Sequence, residues 1–212
     1  NLRMGKGTVE LPADFRMATA PRHPRRGHQI AYRGLAHCYD AWTPEIYEQY
    51  MRDLSVFGAN AFELTSFRDA DSTEGPHLKY TPRQMIEAWS KICRDYGYEF
   101  WLFAGAFGGE GETEDHLQAS IDRHLEMLPV FPHLDHIYLT GGDGDSPHRR
   151  PDLMIEAVGR FTAEARKIHP QLGVWVSNQG FTPEQNNWFF DYLQREEPTW
   201  LTGVVYGAWT RI

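Results

Sequence analysis

The sequence predicts an α/β chain built as a parallel barrel of the (β/α)8 kind, with about six of the βα units present. Three observations carry this reading. Short apolar runs alternate with segments of helical period, giving six strands and five helices at a spacing of about 35 residues, which is the rhythm of βα units. The runs are short and apolar, as strands covered on both faces must be. No GxGxxG or P-loop pattern follows any of them, so a nucleotide-binding doubly wound sheet has no support. A closed barrel needs eight strands, so two more are expected in sequence outside these residues.

The elements follow in order. Residues 1–25, with Pro12, Pro21 and Pro24 and little periodicity, read as the tail of a preceding small domain and a linker; the barrel is expected over 26–212. Gly27 to Arg33 is the first strand. Thr43 then caps a helix with Pro44 at its first position and Gly58 as its stop, and Ile46, Tyr50, Leu54 and Phe57 form its apolar face. After a strand from Ala59 to Thr65, Thr81-Pro82 opens the next helix, whose stripe is Met85, Ile86, Trp89, Ile92 and Cys93 and whose stop is Gly97. Phe100 to Ala104 is the third strand. The helix after it, from Thr113 to about Leu128, turns Leu117, Ile121, Leu125 and Leu128 to a core. The fourth strand, around Ile137 to Leu139, breaks at Gly141-Gly142, and its helix runs from Pro151 to Ile168. Gly173 to Ser177 is the fifth strand, Thr182-Pro183 opens a helix through Trp188, Phe189, Tyr192 and Leu193, and Gly203 to Gly207 is the sixth strand.

Composition narrows the function classes. A formal net charge of −8, with no basic stripe along any predicted helix, argues against a nucleic-acid partner. No apolar run approaches the roughly 18 residues of a membrane span, so no membrane partner is expected. Cys38 and Cys93 have neither disulfide-framework nor zinc spacing and are expected as buried free thiols. No cofactor pattern is present. The chain starts without Met and without a signal-peptide core, and is expected to be an interior piece of a longer protein whose remaining barrel strands come from the parent or from an oligomer.

In such a barrel the strands' C-terminal ends share one mouth, where chemistry is done. The sequence brings to it Tyr32, Arg33, Glu63, Thr65, Glu110, Glu112, Asp143, Asp145, His148, Asn178, Gln179, Tyr206 and Trp209. Carboxylates serve as acid and base, amides hold hydroxyl groups, and flat rings stack on the C–H faces of pyranoses, so this inventory suits a sugar. Asp143 is the leading catalytic candidate, with Asp145 and Glu110 behind it. Arg26, His28, Arg33, Glu63, Trp42, Asn178, Gln179, Tyr206 and Trp209 are the candidates for substrate binding. Glu63 stands inside an apolar strand, where a carboxylate needs a partner such as Arg33 or a substrate; His28 can equally be a hydrogen-bonded core histidine. Trp101, Trp175 and Trp188 are expected in the core.

Arg26-Gly27-His28-Gln29, Tyr39-Asp40-Ala41-Trp42-Thr43, Phe57-Gly58-Ala59-Asn60-Ala61, Gly141-Gly142-Asp143-Gly144 and Trp175-Val176-Ser177-Asn178-Gln179-Gly180-Phe181 together resemble an uncharacterised branch of barrel glycoside hydrolases related to α-glucuronidases and β-N-acetylhexosaminidases. The resemblance runs from Arg26 onward and implies a catalytic (β/α)8 domain. In the hexosaminidase pattern Arg26 corresponds to an arginine that holds sugar hydroxyls, and Asp143 to the aspartate that orients the acetamide. Gly144 stands where that pattern has its acidic glutamate, which removes the expected acid. Against the glucuronidase pattern Asp143 falls on the position of the catalytic acid.

The expectation is therefore a glycosidase acting on a glycan, uronic-acid-containing glycans included, with Asp143 as general acid and a partner carboxylate that is either missing from these residues or supplied by Glu63 or Glu110. A non-catalytic carbohydrate-binding barrel is one alternative. A metal-dependent barrel enzyme using Asp143, Asp145 and His148 is the other.

Overall fold

A computed structural model describes residues 3–5, 8–10, 12–16, 20–32, 41–65, 77–105, 107, 113–142 and 148–206. Two antiparallel strands, β1 (Arg3–Gly5) and β2 (Thr8–Glu10), form a hairpin near the start. The linker reading of residues 1–25 did not contain them, because three-residue strands are too short to show a period. The rest is one sheet of six parallel strands in sequential order: β3 (Gly27–Ala31), β4 (Ala61–Thr65), β5 (Glu99–Gly105), β6 (His136–Thr140), β7 (Gly173–Ser177) and β8 (Gly203–Val204). Between them run α1 (Pro44–Val56), α2 (Pro82–Tyr96), α3 (Glu114–Met127), α4 (Pro151–Ile168) and α5 (Pro183–Glu196). Strictly sequential parallel order is the arrangement of a barrel wall, and the chain is a partial (β/α)8 barrel.

Helix starts follow from local chemistry. At Thr81 and at Thr182 the hydroxyl accepts from the backbone N–H of Gln84 and of Gln185, while each glutamine oxygen accepts the cap residue's own N–H at 2.9 Å. Proline at the next position lacks an N–H that the first turn could not have used. The core lies between sheet and helices. Ile30, Phe62, Leu64, Phe100, Leu102, Ile137, Leu139, Val174 and Val176 face it from the strands, and Trp89, Leu117, Ile121, Val158, Phe161 and Phe189 from the helices. Cys93 is buried in it as a free thiol; Cys38 is outside the described residues.

The predicted face of α1 is shifted by one residue. Tyr47 and Met51 are fully buried, Tyr50 and Leu54 pack at the edge, and Ile46 and Phe57 point outward, Phe57 at 89 % exposure. The hydroxyl of Tyr47 donates to the Ala31 carbonyl at 2.8 Å, and that bond selects the row that faces the sheet. Trp188, expected in the core, stacks on Tyr192 at 5.3 Å on the outer side of α5. Among the described residues no helix is long and apolar enough to cross a membrane.

The rim at the strands' N-terminal ends holds the incoming chain. Asn60 Oδ1 accepts from the Arg26 N–H at 2.9 Å and Asn60 Nδ2 donates to the Pro24 carbonyl at 2.9 Å, while Arg25 pairs with Glu99 at 2.9 Å. For α1, Met51→Ala is expected to lower unfolding stability by about 2–5 kcal/mol and Phe57→Ala by less than about 0.5 kcal/mol in denaturant titrations. The reverse order would restore the Ile46–Phe57 face.

Candidate active site

Alternation along each strand sorts the site from the core. In β5 the even residues Phe100, Leu102 and Ala104 are buried under the helices, while Glu99, Trp101, Phe103 and Gly105 are half-buried on the inner face. Pairing register extends that face across the sheet. One inner row is Gln29, Glu63, Trp101, His136 and Gly173. The next, one pleat nearer the mouth, is Ala31, Thr65, Phe103, Tyr138, Trp175 and Gly203. Large rings sit beside glycines: a Cβ on Gly173 would collide with the His136 ring, and one on Gly203 with the Trp175 ring.

The result is a crevice with two unlike sides. Trp101 lies 5.0 Å from Trp175 between ring centroids and 4.3 Å from His136, and Phe103 lies 5.6 Å from Tyr138, so strands β5 to β7 present a continuous aromatic wall. On β3 and β4 the inner face carries a polar pair, in which Gln29 Nε2 donates to Glu63 Oε1 at 2.6 Å. Burial raises the Glu63 pKa above its ordinary value, and the Gln29 hydrogen bond opposes this more weakly.

At the N-terminal end a polar knot forms the floor. Glu99 accepts from Arg25 Nε at 2.9 and 3.1 Å and from Trp101 Nε1 at 3.2 Å, and the Arg25 guanidinium lies 5.6 Å from the Trp175 ring centroid. Trp175 Nε1 donates to His136 Nδ1 at 3.1 Å, and an indole can only donate, so neutral His136 carries its proton on Nε2, 3.5 Å from Glu99 Oε2. Burial is the main cause lowering the His136 pKa, with Glu99 opposing it.

At the mouth, Gly141 and Gly142 run between two neighbours that leave no room for a side chain. A Cβ on Gly141 would lie 2.6 Å from the Gln179 carbonyl and 2.5 Å from the Phe181 ring. Gly142 has φ +129°, open to glycine, and the Arg149 guanidinium lies flat against the place its Cβ would occupy. Gln185 Nε2 donates to the Arg149 carbonyl at 2.9 Å, tying this arginine to α5.

The candidates named from sequence divide accordingly. Glu63 is on the crevice wall, Gln179 is half-buried beside Gly141, and Tyr206, 55 % exposed, follows β8. Arg26 stands at the opposite rim: its Nε donates to the Gly58 carbonyl at 2.5 Å and Nη1 to His23 and Pro24 carbonyls at 2.8 and 2.9 Å, so it clamps the linker and is not placed to hold sugar at the mouth. His28 points to the helix layer, 2.9 Å from the Tyr50 hydroxyl. Trp42 packs on Tyr47 and Tyr50, 5.2 and 5.1 Å between centroids, which makes it part of the α1 packing instead of a sugar platform. Asn178 is fully buried with Nδ2 donating to Asn186 Oδ1 at 2.7 Å, so it anchors α5 and does not reach the crevice. His148 is exposed just before α4. Asp143, Asp145, Glu110, Arg33 and Trp209 lie outside the described residues. Among the described residues no group of three or more His, Cys, Asp or Glu side chains is placed to hold a metal ion.

Sequence reasoning missed Gln29, the Trp101–Phe103–Tyr138–Trp175 wall and Arg149. The first two were readable by taking alternate residues of each strand; Arg149 had no signal, since its position depends on Gly142 across a loop.

Two pH-linked and packing outcomes are expected. Because the native Glu63 pKa is raised, its favourable protonation is complete below the unfolded-state value and is lost as pH rises through the native one. Glu63→Gln should therefore gain stability relative to the parent chain as pH rises from the ordinary glutamate range through the raised native value, read in denaturant titrations; a pH-independent difference would contradict the burial. Gly142→Ala should lower unfolding stability by about 1–3 kcal/mol, checked by thermal melting, because it must displace Arg149 and adopt an unfavourable φ.

No family model matches the chain, and no curated protein does. Solved structures do. A 4-hydroxy-tetrahydrodipicolinate synthase from Methylacidiphilum fumariolicum SolV is similar over 86 % of this chain and 54 % of its own, at 9 % identity and a TM-score of 0.51. The cellulase of a cellulase–inhibitor complex is similar over 81 % of this chain and 54 % of its own, at 14 % identity and a TM-score of 0.50. A β-glucuronidase from Bacteroides uniformis is similar over 72 % of this chain and 18 % of its own, at 16 % identity and a TM-score of 0.47. The chain thus spans about half the length of the first two of these, and what it shares with them is the fold.

Proposed function

We propose that this chain is part of the catalytic barrel of a glycoside hydrolase. The observation that carries the reading is the inner face itself, where an aromatic wall on β5 to β7 continues directly from the Gln29–Glu63 pair on β3 and β4. A pyranose has flat C–H faces and an equatorial belt of hydroxyls, and stacks on rings while its hydroxyls bond to amides and carboxylates. The barrel glycosidases among the solved neighbours support the architecture of this reading. Asp143, the residue after Gly142 in sequence, and Glu63 are the proposed carboxylate pair.

The finer reading is a uronic-acid-containing glycan. It rests on the similarity of the Gly-Gly-Asp stretch to the glucuronidase pattern, in which Asp143 keeps a carboxyl at the acid's position. Two further βα units, from the longer polypeptide or from an oligomer, would pair between β8 and β3 to close the wall.

The test is hydrolysis by the full-length parent on a panel of neutral and uronic-acid-containing glycans. Asp143→Asn should lower turnover by about 10²–10⁴-fold, as loss of a general acid or base does. Unchanged hydrolysis in that variant would overturn the assignment of Asp143, and no cleavage by the parent of any glycan would overturn the glycosidase reading.

A further inference from the structure

We propose that His136 and Trp175 form a proton-operated latch on the inner face of the sheet, closed while the imidazole is neutral and opened when it is protonated. The latch goes beyond the glycosidase reading and does not depend on it.

Hydrogen-bond polarity makes the contact sensitive to a single proton. An indole N–H donates and cannot accept, so Trp175 Nε1, 3.1 Å from His136 Nδ1, requires a bare nitrogen there. The other ring nitrogen, Nε2, faces Glu99 Oε2 at 3.5 Å, and the one proton of the neutral ring sits on that side. A second proton goes to Nδ1, where it sets two N–H donors against each other. The bond to Trp175 is then lost.

The surroundings are built around this contact. His136 stands in register with Gly173, and a Cβ on Gly173 would collide with His136 Nδ1 and lie 3.3 Å from Trp175 Nε1, so the glycine leaves the space in which the two nitrogens meet. His136 is 8 % exposed, and water has little access to replace the lost partner. Trp101 packs on both rings, 4.3 Å from His136 and 5.0 Å from Trp175 between centroids, so Trp175 cannot shift without disturbing the aromatic wall. The latch thus couples one titration at the floor to the rings above it.

The charged groups around the imidazole, among the described residues, determine when it opens. Burial is the main influence and lowers the His136 pKa below the ordinary histidine value; Glu99 on β5 opposes it. Arg25 from the incoming chain, bound to the same carboxylate at 2.9 Å, acts with burial, and Asp135, just before β6 and paired with His133 at 2.7 Å, acts with Glu99. Glu63 on β4 lies beyond Trp101 in the same row. The latch is therefore closed at neutral pH and opens in acid. Its contribution to stability is complete above the ordinary histidine value and is lost as pH falls from there through the lowered native value.

The test is a pH titration of the ¹⁵N-labelled 212-residue chain, following the histidine ring nitrogens and the seven indole N–H signals together. Trp175→Phe and His136→Asn assign the two groups. At neutral pH His136 should show a bare Nδ1 and a protonated Nε2, and on acidification the Trp175 indole signal should move with the same midpoint as the imidazole, while that of Trp89, buried under the helices, stays in place. His136→Asn keeps an acceptor near the Nδ1 position and takes up no proton, so the Trp175 signal should lose its dependence on pH between about pH 5 and pH 8. Thermal melting verifies that this variant folds, and Glu99→Gln provides a second one, in which both midpoints should fall together because the attraction for the imidazolium is lost. A neutral His136 protonated on Nδ1, a Trp175 signal indifferent to pH or moving with a different midpoint, or one that still titrates in folded His136→Asn overturns the latch. Midpoints that separate in Glu99→Gln overturn it as well.

Discussion

The register of the parallel sheet is the constraint on which everything else in this chain depends. Because side chains alternate between faces, pairing Glu63 with Gln29 on one side and Trp101 on the other determines at once which residues enter the helix-covered core and which line the crevice. A slip of one residue would turn Phe62 and Leu64 inward and bury Glu63 under α1 and α2, where nothing compensates its charge. The glycines at Gly173 and Gly203 belong to the same constraint, since each lies in register beside a ring that could not tolerate a Cβ there.

From that register comes a division of labour along the strands. Their N-terminal ends are stoppered by the Arg25–Glu99–Trp101–His136–Trp175 knot and tied to the linker through Arg26 and Asn60, so charge is neutralised there and the backbone is fixed. Further up, the same face changes character, and a carboxyl bonded to the Gln29 amide stands in register beside the aromatic rings. At the C-terminal ends the backbone is shaped by close approach, with Gly141 and Gly142 held between Phe181 and Arg149. The contacts that fix the backbone thus gather at one end of the sheet, and the end at which barrel enzymes do their chemistry is shaped by glycines.

Much of this was legible in the sequence. The strand and helix order, the Thr-Pro openings and the stripe on α2 follow from period and capping chemistry that act over a few residues. The site was less legible, because strand-end position does not reveal which way a side chain turns. Arg26 and His28 sit beside the first strand in sequence, yet one clamps the linker and the other bonds to Tyr50. Asn178 looked like a substrate amide until the buried partner Asn186, eight residues on, accounted for it. Trp101 and Trp175 of the aromatic wall were expected in the core for the converse reason: in a short apolar strand, composition alone does not separate the inner face from the outer.

The account's central claim is that the inner-face crevice binds sugar against its aromatic wall. It is tested most directly by following the seven indole N–H signals of the ¹⁵N-labelled chain during titration with methyl glycosides and glucuronic acid. Shifts concentrated at Trp101 and Trp175, with Trp89 and Trp188 unmoved, are predicted. Saturable shifts confined to other tryptophans, or no shift with any sugar, would contradict it.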